Sequence, residues 1–329
     1  MAGSSTARRW TLTFAGAAGT VTGSKFLVRD ASRAVLVDCG MFQGLRELRR
    51  RNWTAPPFDV EAIDAVILSH AHLDHCGYLP RLIRDGFHGR VIATEATAEL
   101  AGIVLPDSGH LQEEEAEYAN RRGTSRHDPA EPLYTEAEGR RAAAAIETVR
   151  FGDDVELAPG LVARLSRAGH ILGSSIVALD LDGERRIGFS GDLGRPSHPL
   201  LVSPDPVPDA EVLLVESTYG NRRHADTAAL DAFADAIERT IARGGSVLIP
   251  AFAVDRTEVI LFHLARLADA GRLPSGVPVY VDSPMALSAM RVYRRAIERR
   301  DPDVQIDGGH DPFRVPIWWR CTTSRRRSR

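Results

Sequence analysis

Seven consecutive residues, Ser69-His70-Ala71-His72-Leu73-Asp74-His75, constrain this 329-residue chain more than any other feature. They follow the apolar run Ala65-Val66-Ile67-Leu68, which reads as a buried strand. Three imidazoles and one carboxylate within six residues make a dense set of ligand atoms suited to zinc or a similar divalent ion. On an extended segment alternate side chains point the same way, so His70 and His72 can serve one ion while Asp74 and His75 turn toward a second. The competing reading, a polar loop with chance histidines, does not explain such density.

Two later segments complete the pattern. Ala168-Gly169-His170-Ile171-Leu172-Gly173-Ser174 sets a histidine between glycines, where the backbone can turn sharply. Ile187-Gly188-Phe189-Ser190-Gly191-Asp192 ends a strand in an aspartate. Alone, His170 reads as a loop histidine and Asp192 as a turn residue. Beside the first motif both read as metal ligands, Asp192 as the bridging carboxylate. Asp38, at the end of the strand Val35-Leu36-Val37, is expected to orient a ligand histidine from behind.

The rest of the chain sets the frame. A net charge of -3 advertises no global affinity for nucleic acid, so an anionic substrate must meet a local basic patch. Nearly all the positive charge is arginine; Lys25 is the only lysine. Cys39, Cys76 and Cys321 fit no zinc module or closed disulfide framework, which points to a reducing compartment. No apolar run approaches a membrane span, and the alternation after Arg8-Arg9 reads as a strand rather than an export signal, so a cytoplasmic protein without membrane contact is expected. Short strands are expected at 10–15, 24–29, 35–37, 65–68, 91–93, 161–166, 175–181 and 186–190, with helices at 76–86 and 94–105. Solvated helices joined by a loop near 123–132 are expected in 110–148. Pro204, Pro206 and Pro208 mark a domain boundary. Beyond it strands (212–215, 247–249, 279–281) alternate with helices (227–243, 256–270, 286–300), the pattern of a parallel sheet. No element is legible after Pro312, where Trp318-Trp319-Arg320-Cys321 leads into an Arg/Ser run.

The H-x-H-x-D-H run, the later histidine and the aspartate stand in the order of the metallo-β-lactamase superfamily, which the chain resembles. The resemblance extends to its β-CASP branch, RNA-processing exo- and endonucleases related to the cleavage and polyadenylation endonuclease. It is carried by Gly16-Ala17-Ala18-Gly19-Thr20-Val21-Thr22-Gly23-Ser24, Asp38-Cys39-Gly40-Met41-Phe42-Gln43-Gly44 and Val215-Glu216-Ser217-Thr218-Tyr219-Gly220. Pro250-Ala251-Phe252-Ala253-Val254-Asp255-Arg256 and Asp282-Ser283-Pro284-Met285-Ala286 resemble that branch's second domain.

The resemblance implies an α/β fold: a metallo-β-lactamase αβ/βα sandwich over 1–208, a partial β-CASP α/β domain with a parallel sheet over 209–315, and an unstructured or out-of-frame tail over 316–329. It implies two zinc ions, one held by His70, His72 and His170, the other by Asp74, His75 and Asp192, about 3.5–4 Å apart and activating a hydroxide against an RNA phosphodiester. Asp74 and Glu216 take catalytic places in this scheme. Single-stranded RNA is the expected partner, and a homodimer is implied. Candidate phosphate contacts are Arg46, Arg49, Arg50 and Arg51, with Tyr219 and the group Arg121, Arg122 and Arg126. The family's general-acid histidine and last ligand histidine have no match here, since His224, His263 and His310 stand outside those motifs. The chain is therefore expected to be C-terminally incomplete and its activity impaired. The alternatives are a thioester or lactone hydrolase of the same superfamily, or a non-catalytic RNA-binding fragment.

Overall fold

In the computed structural model, residues 9–222, 228–273, 276–306, 311–315 and 318–320 are described. They fall into two compact units: Met1–Arg195 with Ser203–Glu216, and Pro196–Val202 with Ser217–Arg329.

The first unit is a pair of facing sheets. One runs β1(Thr11–Phe14), β2(Phe26–Arg29), β3(Ala34–Val37), β4(Ala65–Ile67), β5(Arg90–Thr94) and β6(Ile146–Val149) in spatial order. Its first three strands are antiparallel, and from β3 onward the pairing is parallel. β3 and β4 are buried along their whole length, which is why they read as unbroken apolar runs rather than as alternation. The second sheet contains β7(Asp154–Ala158), β8(Leu161–Arg167), β9(Ser175–Leu181) and β10(Arg185–Phe189) as an antiparallel meander, with β11(Val212–Leu214) parallel to β10. Val35, Val37, Ala65, Ile67 and Ile92 of the first sheet share one core with Leu161, Leu165, Val177, Leu179 and Phe189 of the second. This is the expected sandwich.

Among the described residues, five helices belong to this unit: α1(Arg46–Arg51), α2(Leu73–Cys76), α3(Leu79–Arg84), α4(Glu95–Arg122) and α5(Glu136–Ala144). The helix expected at 94–105 continues through Pro106 to Arg122. Proline deletes one backbone bond and crowds the preceding turn, yet packing on α5 outweighs that cost. A Cβ on Gly109 would lie 2.6 Å from Thr135 backbone atoms, and one on Gly139 would lie 2.6 Å from the Leu105 carbonyl oxygen. Two glycines thus let the helices touch backbone to backbone. Thr94 caps α4 at its start, Gly123 (φ 62°) ends it, and a Thr135–Glu138 capping box opens α5.

The segment on both sides of the boundary expected at 208/209 packs with the first unit up to Glu216. Asp205 exchanges bonds with Arg167, its amide donating to the Arg167 carbonyl (2.9 Å) and its carboxylate accepting from the Arg167 amide (2.8 Å). β11 then adds to β10, so the proline segment is stitched onto the first unit up to Glu216. Prolines signal where regular structure stops; they do not say which core the chain joins next.

The second unit holds α6(Ala228–Ala242), α7(Arg256–Asp269), α8(Pro284–Glu298) and a parallel pair, β12(Val279–Val281) with β13(Trp318–Arg320). The expected strand at Val247-Leu248-Ile249 joins no ladder among the described residues, and Leu248 is 91% exposed. Among those residues the expected parallel sheet is thus reduced to the β12–β13 pair. An apolar run prefers extended backbone, but a strand also needs a partner row. Trp318–Arg320, assigned to an unstructured tail, find such a row in β12. The rest of 316–329, with Cys321, His224 and His310, lies outside the described residues.

Candidate metal centre

The histidine run leaves β4 as an extended segment that enters α2 at Leu73, with His72 as its N-cap (φ -72°, ψ 146°). Extended backbone sends His70 and His72 to one side, while the first helical turn redirects Asp74 and His75. His70, His72, His170 and Asp192 each offer a ligand atom within 4.8 Å of the others. His72 Nδ1 stands 3.0 Å from His70 Nε2 and 3.3 Å from His170 Nε2. Three ring nitrogens so close can share one electrophile such as a divalent cation. Burial first, then the neighbouring histidines, hold His70 well below the ordinary histidine range, so it offers a lone pair.

Asp192 divides its two oxygens. Oδ2 faces His170 Nε2 at 3.6 Å and His70 Nε2 at 3.9 Å; Oδ1 faces His75 Nε2 at 3.2 Å. His75 Nε2 also lies 3.9 Å from Asp74 Oδ2. The structure therefore gathers all six expected ligand residues, with Asp192 between two subsets. Burial alone would raise Asp192, but the hydrogen bond and charge of His75, then His170 and His72, hold it at about 2. Burial raises Asp74, against the pull of His75. His75 is disfavoured as a cation by burial, yet Asp38 and Asp192 carry it well above the ordinary range. A positive charge on His75 is what this donor set stabilises without an ion, and the same set fits a divalent cation.

Asp38 stands behind His75, its Oδ2 2.7 Å from His75 Nδ1. That contact places the Nδ1 proton toward Asp38 and leaves Nε2 to face the centre. Asp38 is itself held at φ 60° and accepts from the Ser69 amide (2.8 Å), the Ser69 hydroxyl (3.0 Å) and the Ser24 hydroxyl (3.3 Å). Ser69 was part of the sequence motif but had no assigned role; its position just before the first histidine was the available signal. Backbone bonds lock the neighbouring segments: Ser24 to Asp74, Cys39 to His75 and Met41 to Leu73, at 2.7–2.8 Å. A Cβ on Gly40 would come within 1.6 Å of the Asp74 carbonyl oxygen, so only glycine permits that packing.

The His170 loop turns at Gly169 (φ 62°) and Gly173 (φ 79°), and Ser174 accepts the His170 amide at 2.9 Å. Gly194 presses on it, since a Cβ there would lie 1.6 Å from the Gly169 carbonyl oxygen; the Gly194 amide donates to Ala168. This contact brings the His170 and Asp192 loops together. Glu216 lies after β11, where Oε1 accepts the Leu193 amide at 3.2 Å and its own amide donates to the Ser190 hydroxyl. It thus braces the residue next to Asp192. Arg46, Arg49, Arg50 and Arg51 lie on α1, and Tyr219 lies in the second unit and is exposed. His263, half-buried on α7, is held below the ordinary range by burial and Arg266.

Residues 18–229 match the profile described as "Metallo-beta-lactamase superfamily". Among curated proteins the chain is 38% identical over 302 residues to a Thermus thermophilus protein named ribonuclease TTHA0252, covering 91% of this chain and 64% of that protein. It is 29% identical to a Methanocaldococcus jannaschii protein named transcription termination factor FttA, covering 96% of this chain and 49% of that one. A third, named RNase J-like protein from the same archaeon, is 30% identical, covering 85% and 60%. The chain thus spans 49–64% of the length of these relatives. A solved structure from Enterococcus faecalis V583, titled a protein of unknown function, matches at TM-score 0.51 and 16% identity, covering 96% of this chain and 74% of that one, a likeness of fold alone. Among the described residues no helix is long and apolar enough to cross a membrane.

Proposed function

This chain belongs to the metallo-beta-lactamase superfamily, and from that premise we propose that it is a ribonuclease of the β-CASP branch, dependent on two zinc ions and acting on single-stranded RNA. The carrying observation is the division of Asp192: Oδ2 toward His70 and His170, Oδ1 toward His75. A carboxylate addressing two ligand subsets from one position fits a bridged pair of ions. His70, His72 and His170 would hold one; Asp74 and His75 the other. When bound, such ions supply positive charge to a phosphodiester and lower the pKa of water beside it.

The chain's own residues prepare that chemistry. His70 is buried and neutral, so its lone pair needs no deprotonation. Asp38 fixes the His75 ring and keeps Nε2 turned inward. Asp74, Asp192 and His170 remain partly exposed, at 24–28%, so a substrate can reach them from solvent. Glu216 holds the Leu193 amide and with it the direction of Asp192. The similarity to proteins named ribonuclease and RNase J-like supports RNA as the substrate.

The test is metal content per purified chain, measured beside Asp192→Ala, together with cleavage of a labelled single-stranded RNA. Close to two zinc ions, lost in the variant along with cleavage, is the expected outcome. Thioester hydrolysis without RNA cleavage would place the chain among the small-molecule hydrolases instead.

A further inference from the structure

The structure singles out one basic surface. α1 carries Arg46, Arg49, Arg50 and Arg51, all exposed, and none of the four pairs with an acidic side chain among the described residues. Several other surface arginines are paired: Arg121 with Glu117, Arg140 with Glu136, Arg150 with Asp153 and Arg164 with Asp154. On a chain of net charge -3, four guanidinium groups against one carboxylate, Glu47, concentrate positive charge on one short helix.

Their arrangement is ordered. Arg46, Arg49 and Arg50 stand at i, i+3 and i+4, hence on one face. The helical turn continues past Asn52, the Trp53 amide donating to the Arg50 carbonyl, so Trp53 falls at i+7 on the same face. Trp53 is 52% exposed. Arg51 points elsewhere, its guanidinium 5.4 Å from the centre of the Phe42 ring. The face is also anchored. Buried Asn52 accepts the Phe42 amide through Oδ1 and donates to the Phe42 carbonyl through Nδ2, both at 2.8 Å. One residue before Phe42, the Met41 amide donates to Leu73, and the Cys39 amide donates to His75. The basic face is therefore tied, through the Asn52 side chain and then backbone bonds, to the segment that carries the metal-ligand run.

We propose that Arg46, Arg49, Arg50 and Trp53 form a docking platform for single-stranded RNA, the arginines meeting successive phosphates and the indole stacking on a base. Positive charge interleaved with one exposed aromatic suits a flexible anionic strand, whose bases are free to stack. This inference rests on the reading of the chain as a ribonuclease and adds to it the surface that holds the strand beside the metal centre.

The experiment measures binding of a labelled, nuclease-resistant 2′-O-methyl phosphorothioate oligouridine to the metal-loaded chain across a salt series. Removing three phosphate contacts with Arg46→Ala/Arg49→Ala/Arg50→Ala should reduce the slope of log K against log salt by about 2, at roughly 0.7 per contact on a single strand. Trp53→Leu should weaken binding about tenfold with the slope unchanged. Arg150→Ala/Arg164→Ala removes charge elsewhere and should leave the slope as it was. A triple variant that keeps its thermal midpoint and the parent slope overturns the platform while leaving the ribonuclease reading intact. A parent chain that does not bind the probe overturns both. If the triple variant unfolds, Arg46→Lys/Arg49→Lys/Arg50→Lys takes its place; it should keep the parent slope, and a lost slope in that folded variant overturns the assignment to phosphates.

Discussion

Glu258 is the sharpest place to test the physical account. It lies in the first turn of α7, fully buried, with no hydrogen bond of good geometry to either carboxylate oxygen among the described residues. Burial, only partly offset by nearby backbone amides and reinforced by Asp255, pushes its pKa from 4.5 up to about 8. The folded carboxyl is therefore neutral at pH 7, whereas the unfolded one is ionised. An acid whose folded pKa is raised contributes stability that is present below about pH 4.5 and lost as pH climbs toward 8. The slope in that window is about 1.4 kcal/mol per pH unit. Between pH 5.5 and 7.5 Glu258 should thus cost the second unit about 3 kcal/mol. Glu258→Gln keeps the shape and polarity of the neutral acid but cannot ionise. Hydrogen exchange of the α7 amides, or urea unfolding followed in that unit, compares the two chains at both pH values. The variant should gain about 3 kcal/mol on the parent between pH 5.5 and 7.5, since all other groups cancel in the difference. Parallel pH dependence in the two chains would refute the reasoning, showing that Glu258 is hydrated or paired.

Three further expectations follow from the first unit. Asp38→Asn leaves the His75 ring with a weaker partner and should lower zinc affinity 10–100-fold, read by competition with a chromophoric chelator; unchanged affinity would mean that Ser69 and packing suffice. Gly40→Ala drives a methyl group into the Asp74 carbonyl, so metal content and thermal stability should both fall, and a chain that keeps both would show that the loop yields easily. Lys25 is buried, lies over the rings of Phe42 and Tyr78 and donates to the Gly40 carbonyl. Burial lowers its pKa from 10.5 to about 8. The unfolded chain then binds more protons between pH 8 and 10.5, so stability should rise there by about 3 kcal/mol. Lys25→Met, measured by urea unfolding across that window, should lack the rise.

Read alone, the sequence singled out the donor residues of the candidate centre. The density of ligand-type residues in 70–75, and single residues His170, Asp192 and Asp38 at strand and loop ends, carry their meaning in identity and spacing, which survive without coordinates. Most strands of the first unit were legible too, because buried parallel strands such as β3 and β4 announce themselves as apolar runs, whereas β6 and β7, half-exposed and polar, were not expected. What needed tertiary structure was every decision between equivalent partners. β11 could have opened a second sheet, yet its backbone bonds to β10; 247–249 is apolar but joins no ladder among the described residues; Trp318–Arg320 pair with β12 despite an unpromising composition. The helix expected over 94–105 runs on through Pro106, where Gly109 and Gly139 let α5 pack closely against α4. The difference is physical. Ligand atoms and burial are properties of residues, whereas hydrogen-bond partners, close backbone approaches and the two directions of the Asp192 carboxylate belong to pairs of segments distant in sequence, which only the packed chain brings together.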